Sequence, residues 1–123
     1  MSDLEALIRV HDEGWNSQDL DTIMATYVGD IVFQNHTAGE EATVGAEGVR
    51  AHLAGIFERW PDLHFTGRRL YITDTVCVSE WTASATKPDG GRIEWDGVDV
   101  FPIRDGLIAR KDVYSTSHIA RSI

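Results

Sequence analysis

The chain has 123 residues, enough for one domain, and 42% of them are hydrophobic, enough to form a buried core. A formal net charge of −9 opposes contact with phosphate backbones and anionic lipid heads, so neither nucleic acid nor a membrane is expected as a partner. No apolar run approaches the ~20 residues of a membrane span, and the N-terminal residues do not resemble a signal peptide. Cys77 is the only cysteine and cannot form an intrachain disulfide, which favours a cytoplasmic protein.

The first half of the sequence predicts helices. Ser2 and Glu5 match a capping box. The helix that follows carries one apolar stripe interrupted by a histidine: Leu4, Leu7, Ile8, His11 and Trp15. A second helix is predicted over residues 20–27 and a third over 46–59, where Pro61 ends it. Between them we expect a short strand at 31–36 and a flexible polar flap at 37–45.

The second half predicts an antiparallel meander. Four strands are expected, at residues 63–72, 76–86, 92–103 and 107–119, and short turns join them. A twisted sheet of this length curls, and helices on its concave side leave a cone with an apolar pocket. The sequence therefore predicts an α+β fold in one domain, residues 1–123, with a small hydrophobic molecule as its partner.

Asp99 is the polar residue that stands out on these strands. By strand parity it shares a face with Ile93, Trp95, Gly97 and Phe101, which are otherwise apolar. Burial among such residues raises a carboxyl pKa and suits the group to acid–base catalysis or to hydrogen bonding an oxyanion. A bulge that reverses the parity, or an arginine that neutralises Asp99, is the structural alternative.

His11 and Asn35 are further candidates. His11 lies on the buried stripe, where an imidazole can transfer protons, although it can equally be a satisfied core residue. Asn35 shares parity with Ile31 and Phe33 and can hydrogen-bond a ligand or simply form a turn. The remaining histidines lack metal-ligand spacing, and neither a nucleophile elbow nor a phosphate loop is present, so no metal or cofactor is expected.

Three segments resemble the nuclear transport factor 2-like superfamily, more narrowly its SnoaL-like and ketosteroid isomerase-like members: "WNSQDLDTIMATYVGDIVFQN", "VGAEGVRAHLAGIFERWPDLHF" and "RIEWDGVDVFPIRDGLIARKDVYS". The resemblance implies a cone-shaped α+β roll of the cystatin-like kind. It places Asp99 at the oxyanion-hole aspartate of ketosteroid isomerases, which an apolar site keeps protonated and neutral. It places His11 at the oxyanion-binding tyrosine and Asn35 at the general base, a role that an amide cannot fill.

Other members of the superfamily match less well. The three triad positions of limonene-type epoxide hydrolases hold Trp81, Ala83 and Val113. The acid–base aspartate of SnoaL-type cyclases falls on Val113, with Asp112 one residue away, and the sequence does not decide which of the two faces the pocket.

The resemblance thus implies a cofactor-free isomerase or cyclase acting on a small hydrophobic carbonyl compound through Asp99, His11 and Asn35. A non-catalytic ligand-binding or dimerisation module is the alternative, and an epoxide hydrolase with a non-standard triad is the third. The expected substrate-binding residues are Trp15, Tyr27, Phe33, Phe57, Trp60, Trp81, Trp95, Phe101, Val113 and Ser115. We also expect a homodimer through the convex sheet face, at Val76, Val78, Val98 and Val100.

Overall fold

The computed structural model describes residues 2–37 and 39–123. Its elements in chain order are α1 (Asp3–Ser17), α2 (Leu20–Met24), β1 (Tyr27–Asn35), β2 (Thr43–Val44), α3 (Ala46–Arg59), β3 (His64–Ile72), β4 (Val76–Thr86), β5 (Arg92–Arg104), β6 (Leu107–Ser115), a 3-10 helix (Ser117–Ile119) and β7 (Arg121–Ser122). The predicted α+β class is confirmed: a curved open sheet packs on N-terminal helices. None of the described helices has the length and apolar character to cross a membrane.

Side chains fix the ends and the position of α1. The hydroxyl of Ser2 accepts a hydrogen bond from the Glu5 amide at 3.1 Å, which confirms the predicted cap. Asp19 caps α2 in the same way by accepting from the Thr22 amide. The Asn16 side chain bonds both the amide and the carbonyl of Phe65, at 2.8 and 2.9 Å, and so holds α1 against β3.

Two predicted boundaries are wrong. The second helix ends at Met24, and Tyr27 begins β1, where aromatic and β-branched residues pair well with a neighbouring strand. The last strand ends at Ser115 rather than at residue 119. The chain then passes through the 3-10 helix and returns as β7, which pairs with β5.

The strand order is β2-β1-β6-β5-β4-β3, with β7 beside β5. β1 pairs parallel with β6, so the prediction of a purely antiparallel sheet is corrected at this pair. Short turns specify only pairing between consecutive strands, and β1 reaches β6 through the whole intervening chain. Within the predicted flap, Ala38 lies outside the described residues, and Thr43–Val44 forms β2 beside β1.

Strand β4 buries one of its faces in strict alternation. Along β4 the residues on the concave face are buried, while those between them are half-exposed. On β5, Asp99 pairs with Ser79 of β4 and with Val113 of β6, so all three side chains lie on the concave face. Gly97 lies opposite Trp81, and a Cβ atom at Gly97 would come within 2.3 Å of the indole ring. The glycine therefore lets Trp81 lie flat against β5.

Candidate functional site

Two cavities meet inside the cone. The larger, of about 620 Å³, lies between α3 and the concave face of the sheet. The smaller, of about 300 Å³, lies between α1 and strands β3 and β4. Five residues line both: Trp15, Phe65, Trp81, Asp99 and Lys111. The two charged groups of this shared wall are therefore the polar centre of the interior.

Asp99 carries the carboxyl group at this centre. The residue is 4% exposed, and burial raises its pKa to about 6, although the charge of Lys111 opposes the shift. Its oxygen Oδ2 lies 3.7 Å from Lys111 Nζ, which is an ion pair longer than a good hydrogen bond. Its other oxygen, Oδ1, is buried without a hydrogen-bond partner. A buried acceptor without a partner costs folding free energy, and it can accept a hydrogen bond from a bound ligand.

Lys111 is the functional candidate that sequence analysis missed. It is 3% exposed, and its Nζ lies 3.6 Å from the centre of the Trp15 ring, within cation–π range. Burial lowers its pKa, while the charge of Asp99 opposes this effect. Strand parity provides the signal that identifies it, because Lys111 is two residues from Val113 and shares its face.

His11 lies behind Lys111 and lines only the smaller cavity. Its Nδ1–H donates to Asp12 at 2.8 Å, which leaves Nε2 to accept from Lys111 Nζ at 3.4 Å. Burial, followed by the charge of Lys111, lowers its pKa to about 4, so the ring is neutral near pH 7. His11 therefore orients Lys111 and does not reach the larger cavity.

Trp81 supplies the second open polar atom. Its indole N–H lies close enough to Asp99 to lower the pKa of that carboxyl group, yet Nε1 has no hydrogen-bond partner within normal range. The ring is fixed edge-on against Phe65 at 4.9 Å and flat against β5 at Gly97. A free donor and a free acceptor therefore lie side by side at the end of the larger cavity.

Most of the predicted wall lies around the larger cavity. The residues predicted for the site that line it are Trp15, Phe33, Asn35, Trp60, Trp81, Trp95, Asp99, Val113 and Ser115. The Asn35 side-chain oxygen accepts from the Thr37 amide at 3.2 Å, which leaves its NH2 group to donate to a ligand. Glu40 of the predicted flap also lines this cavity, and so do His52 and Arg59, which sequence analysis did not select.

Three predicted wall residues are corrected. Tyr27, Phe57 and Phe101 line neither cavity and belong to the buried core. Parity correctly assigns a residue to a face, but it does not give its depth along the cone. Phe101, for example, packs edge-on against the His11 ring at 5.0 Å, in the filled part of the interior.

The alternative acid, Asp112, lies on the convex face. It accepts from Arg110 at 2.9 Å and from His36 at 2.8 Å, and the Arg110 contact holds its pKa below the usual value. Val113, its neighbour, is the residue that faces the cavity. Among residues 2–37 and 39–123, no group of three or more His, Cys, Asp or Glu side chains is arranged to hold a metal ion.

A model of the SnoaL-like domain matches residues 8–111, most of the chain. No curated protein matches it. Solved structures with the same fold include a nuclear transport factor 2-like protein of unknown function from Burkholderia pseudomallei K96243. It is 15% identical with a TM-score of 0.84, and the match covers 93% of this chain and 91% of that one.

Two further similar structures carry functional descriptions. A putative SnoaL-like polyketide cyclase from Jannaschia sp. CCS1 is 22% identical with a TM-score of 0.81, over 93% of this chain and 85% of that one. TerC, co-crystallized with polyporic acid, is 18% identical with a TM-score of 0.82, over 92% and 91% of the two chains. At these identities the likeness establishes a shared fold and not a shared reaction.

Proposed function

The chain belongs to the SnoaL-like domain family, and we propose that its larger cavity binds a small hydrophobic carbonyl compound and catalyses proton transfer beside the carbonyl. Isomerisation, cyclisation or elimination would follow from such a transfer without a cofactor. The observation that carries this proposal is the Asp99 carboxyl group, which is buried at the cavity end with one oxygen unbonded. The description of the Jannaschia protein with the same fold, a putative SnoaL-like polyketide cyclase, is consistent with substrates of this class.

The proposed chemistry needs both forms of the Asp99 carboxyl. The carboxylate takes a proton from the carbon next to the carbonyl, and the resulting acid returns it to another atom of the substrate. A pKa of about 6 keeps both forms accessible near neutral pH. The Trp81 N–H donates to the carbonyl oxygen as it gains negative charge, and the Asn35 amide orients the substrate. His11 acts as a positioning residue through Lys111.

Hydrogen–deuterium exchange tests the proposal without knowledge of the natural substrate. Benzylacetone, a small hydrophobic ketone, is incubated with the protein in deuterated buffer, and loss of its α-hydrogens is followed by NMR. We expect exchange above the buffer rate, and Asp99→Asn should reduce it by about 10²–10⁴. Asp112→Asn is the matched control, because Asp112 lies on the opposite face of the sheet. Equal exchange by the wild type and Asp99→Asn contradicts the proposal.

A ligand-binding module is the second candidate. The observations that favour it are the ion pair of Asp99 with Lys111 and the amide of Asn35 at the base position of ketosteroid isomerases. Native mass spectrometry of the protein as purified identifies any molecule that is retained in the cavity. A retained ligand that binds Asp99→Asn equally well, together with no deuterium exchange in the wild type, would establish the module and exclude the catalyst.

We also propose a cytoplasmic homodimer. The convex face presents a strip of half-exposed valines, Val76, Val78, Val98 and Val100, and the exposed rings of Tyr71 and Tyr114 flank it. Arginine–carboxylate pairs such as Arg69–Glu80 and Arg121–Glu94 border the strip, so two copies related by a twofold axis can present opposite charges to each other. A monomeric mass by light scattering at tens of micromolar would exclude this assembly. The buried free thiol of Cys77 suits a reducing compartment.

A further inference from the structure

Lys111 lies where a bound ligand can reach its amine. It lines both cavities, so a ligand in the larger one can approach its Nζ atom. Apart from the Asp99 carboxyl, its polar neighbour is the neutral His11 ring, and the face of Trp15 covers another side. Asp12 is the remaining acidic group that acts on Lys111, and it lies beyond His11, to which it is bonded.

The surroundings of Lys111 make its neutral amine easier to form than that of a lysine in water. Burial disfavours the ammonium form and lowers the pKa of Lys111, and the Asp99 carboxyl that would stabilise the charge lies 3.7 Å away, outside good hydrogen-bond range. A desolvated lysine in an apolar pocket is a nucleophile towards carbonyl groups. The carbonyl carbon is the electrophile that such an amine attacks, and the proposed function already places that group in the cavity.

We propose that Lys111 condenses with the carbonyl group of the bound compound to form an iminium linkage. This inference rests on the proposed function for the presence of a carbonyl ligand and adds a covalent step to it. The Nζ lone pair forms a bond to the carbonyl carbon, the C=O π pair moves to oxygen, and a proton passes from nitrogen to that oxygen. The carbon–oxygen bond then breaks as the Asp99 carboxylic acid protonates the leaving hydroxyl, and water departs. The iminium cation remains beside the Asp99 carboxylate and the Trp15 ring.

The linkage would serve the proton transfer directly. An iminium withdraws electrons from the adjacent carbon more strongly than a carbonyl does, so the same Asp99 carboxylate can remove the neighbouring proton more readily. Hydrolysis by one water molecule reverses the condensation and releases the product. No oxidant or reductant is needed.

The chain contains its own control for a test. Its sequence has two lysines, and the other, Lys87, lies in the turn between β4 and β5 with its side chain 44% exposed and 3.6 Å from Asp89. The wild-type protein is incubated near pH 7 with cyanoborohydride and either formaldehyde or hydrocinnamaldehyde, and the adducts are located by peptide mass spectrometry. Formaldehyde is small enough that cavity shape does not limit its entry, and hydrocinnamaldehyde tests the apolar site.

We expect at least tenfold more reduced adduct on Lys111 than on Lys87 with hydrocinnamaldehyde, and preferential methylation of Lys111 by formaldehyde. Lys111→Met should lose this adduct and keep the Lys87 background, while Lys111→Arg keeps the positive charge but cannot condense. Circular dichroism checks that each variant is folded, and the wild-type comparison of the two lysines does not depend on either variant. Modification of Lys87 with Lys111 unmodified by both aldehydes overturns the inference.

The two proposals fail in different ways. If Lys111 forms no adduct but benzylacetone exchange still depends on Asp99, the covalent step is wrong and the acid–base proposal stands. If Lys111 forms the adduct while Asp99→Asn exchanges as fast as the wild type, the amine is reactive and the assigned base is wrong.

Discussion

Lys111 and Asp112 are neighbours on β6, but their side chains lie on opposite faces of the sheet and in opposite electrostatic environments. On the concave face, Lys111 and Asp99 are desolvated, and burial shifts both pKa values towards the neutral forms. On the convex face, hydrogen bonds between Asp112 and Arg110 shift both pKa values towards the charged forms. The buried pair between β5 and β6 is thus shifted towards its neutral forms, and the convex pair on β6 is shifted towards its charged forms.

This difference distinguishes charged groups that bind only each other from polar groups that are available to a ligand. The convex ion pairs satisfy their own hydrogen bonds and need no further partner: Arg121 donates to Glu94 at 2.7 Å and to Asp96 at 3.0 Å. On the concave face, two buried polar atoms have no hydrogen-bond partner: Oδ1 of Asp99 and Nε1 of Trp81. Groups with pKa values shifted by burial inside a cavity are characteristic of functional sites.

The largest effect on stability is expected from His11. Its folded pKa is about 4 and its ordinary value is 6.5, so between these values the unfolded chain binds a proton that the folded chain does not. The stability that the neutral His11 ring contributes is therefore fully present above pH 6.5 and is lost as the pH falls from 6.5 through 4. His11→Phe keeps the bulk of the ring but cannot titrate. Its free energy of unfolding relative to the wild type should therefore rise by about 3 kcal/mol between pH 7 and pH 4. Urea unfolding measures this change, and a difference that is independent of pH would contradict it.

Gly97→Ala tests how tightly the concave wall is built. The new Cβ would meet the Trp81 ring at 2.3 Å, and the buried indole cannot move without disturbing Phe65. We expect a loss of about 1–3 kcal/mol in the free energy of unfolding, together with a changed tryptophan near-ultraviolet circular dichroism signal. Gly67→Ala on β3 is the matched control, because nothing lies within 4 Å of its Cβ position. Equal stability of the two variants would show that Trp81 is not held in place.

Asp112→Asn should have the smallest effect. Its partners Arg110 and His36 are both partly exposed and regain water, so the cost should be about 1 kcal/mol or less. The pKa of Asp112 is lowered in the folded state, so its contribution is present above the unfolded value of 3.8 and is lost as the pH falls through the folded pKa. Urea unfolding at neutral pH and near pH 3 measures both results. A loss of several kcal/mol would mean that the convex pair is a core element.

The fold was largely predictable because its signals are local. Short sequence patterns specify the Ser2 cap, the apolar stripe of α1 and the turns between β3 and β6. The parallel pairing of β1 with β6 joins segments about 80 residues apart, and no local pattern encodes it.

The site was predictable only in part. Alternation on β5 identified Asp99 as a polar residue on an apolar face. The same alternation on β6 places Lys111 on the cavity face with Val113. Lys111 was missed because only an acidic residue was expected as a catalytic group on that strand, at Val113 or Asp112. Strand parity also does not give the position of a residue along the cone, because that position depends on how the helices and the sheet converge. Tyr27 was therefore wrongly assigned to the cavity wall.

Titration of the aspartate carboxyl groups by carbon-detected NMR tests whether Asp99 is the catalytic acid–base group, because it measures the pKa of the buried Asp99 and of the convex Asp112 in one experiment. We expect Asp99 to titrate with a pKa of about 6, and Asp112 to titrate below its usual 3.8. Lys111→Met should raise the Asp99 value further, since it removes the positive charge that opposes the shift. An Asp99 carboxyl that titrates at or below 3.8 would show that it is an ordinary ion-paired acid and would contradict the assignment of the catalytic acid–base group.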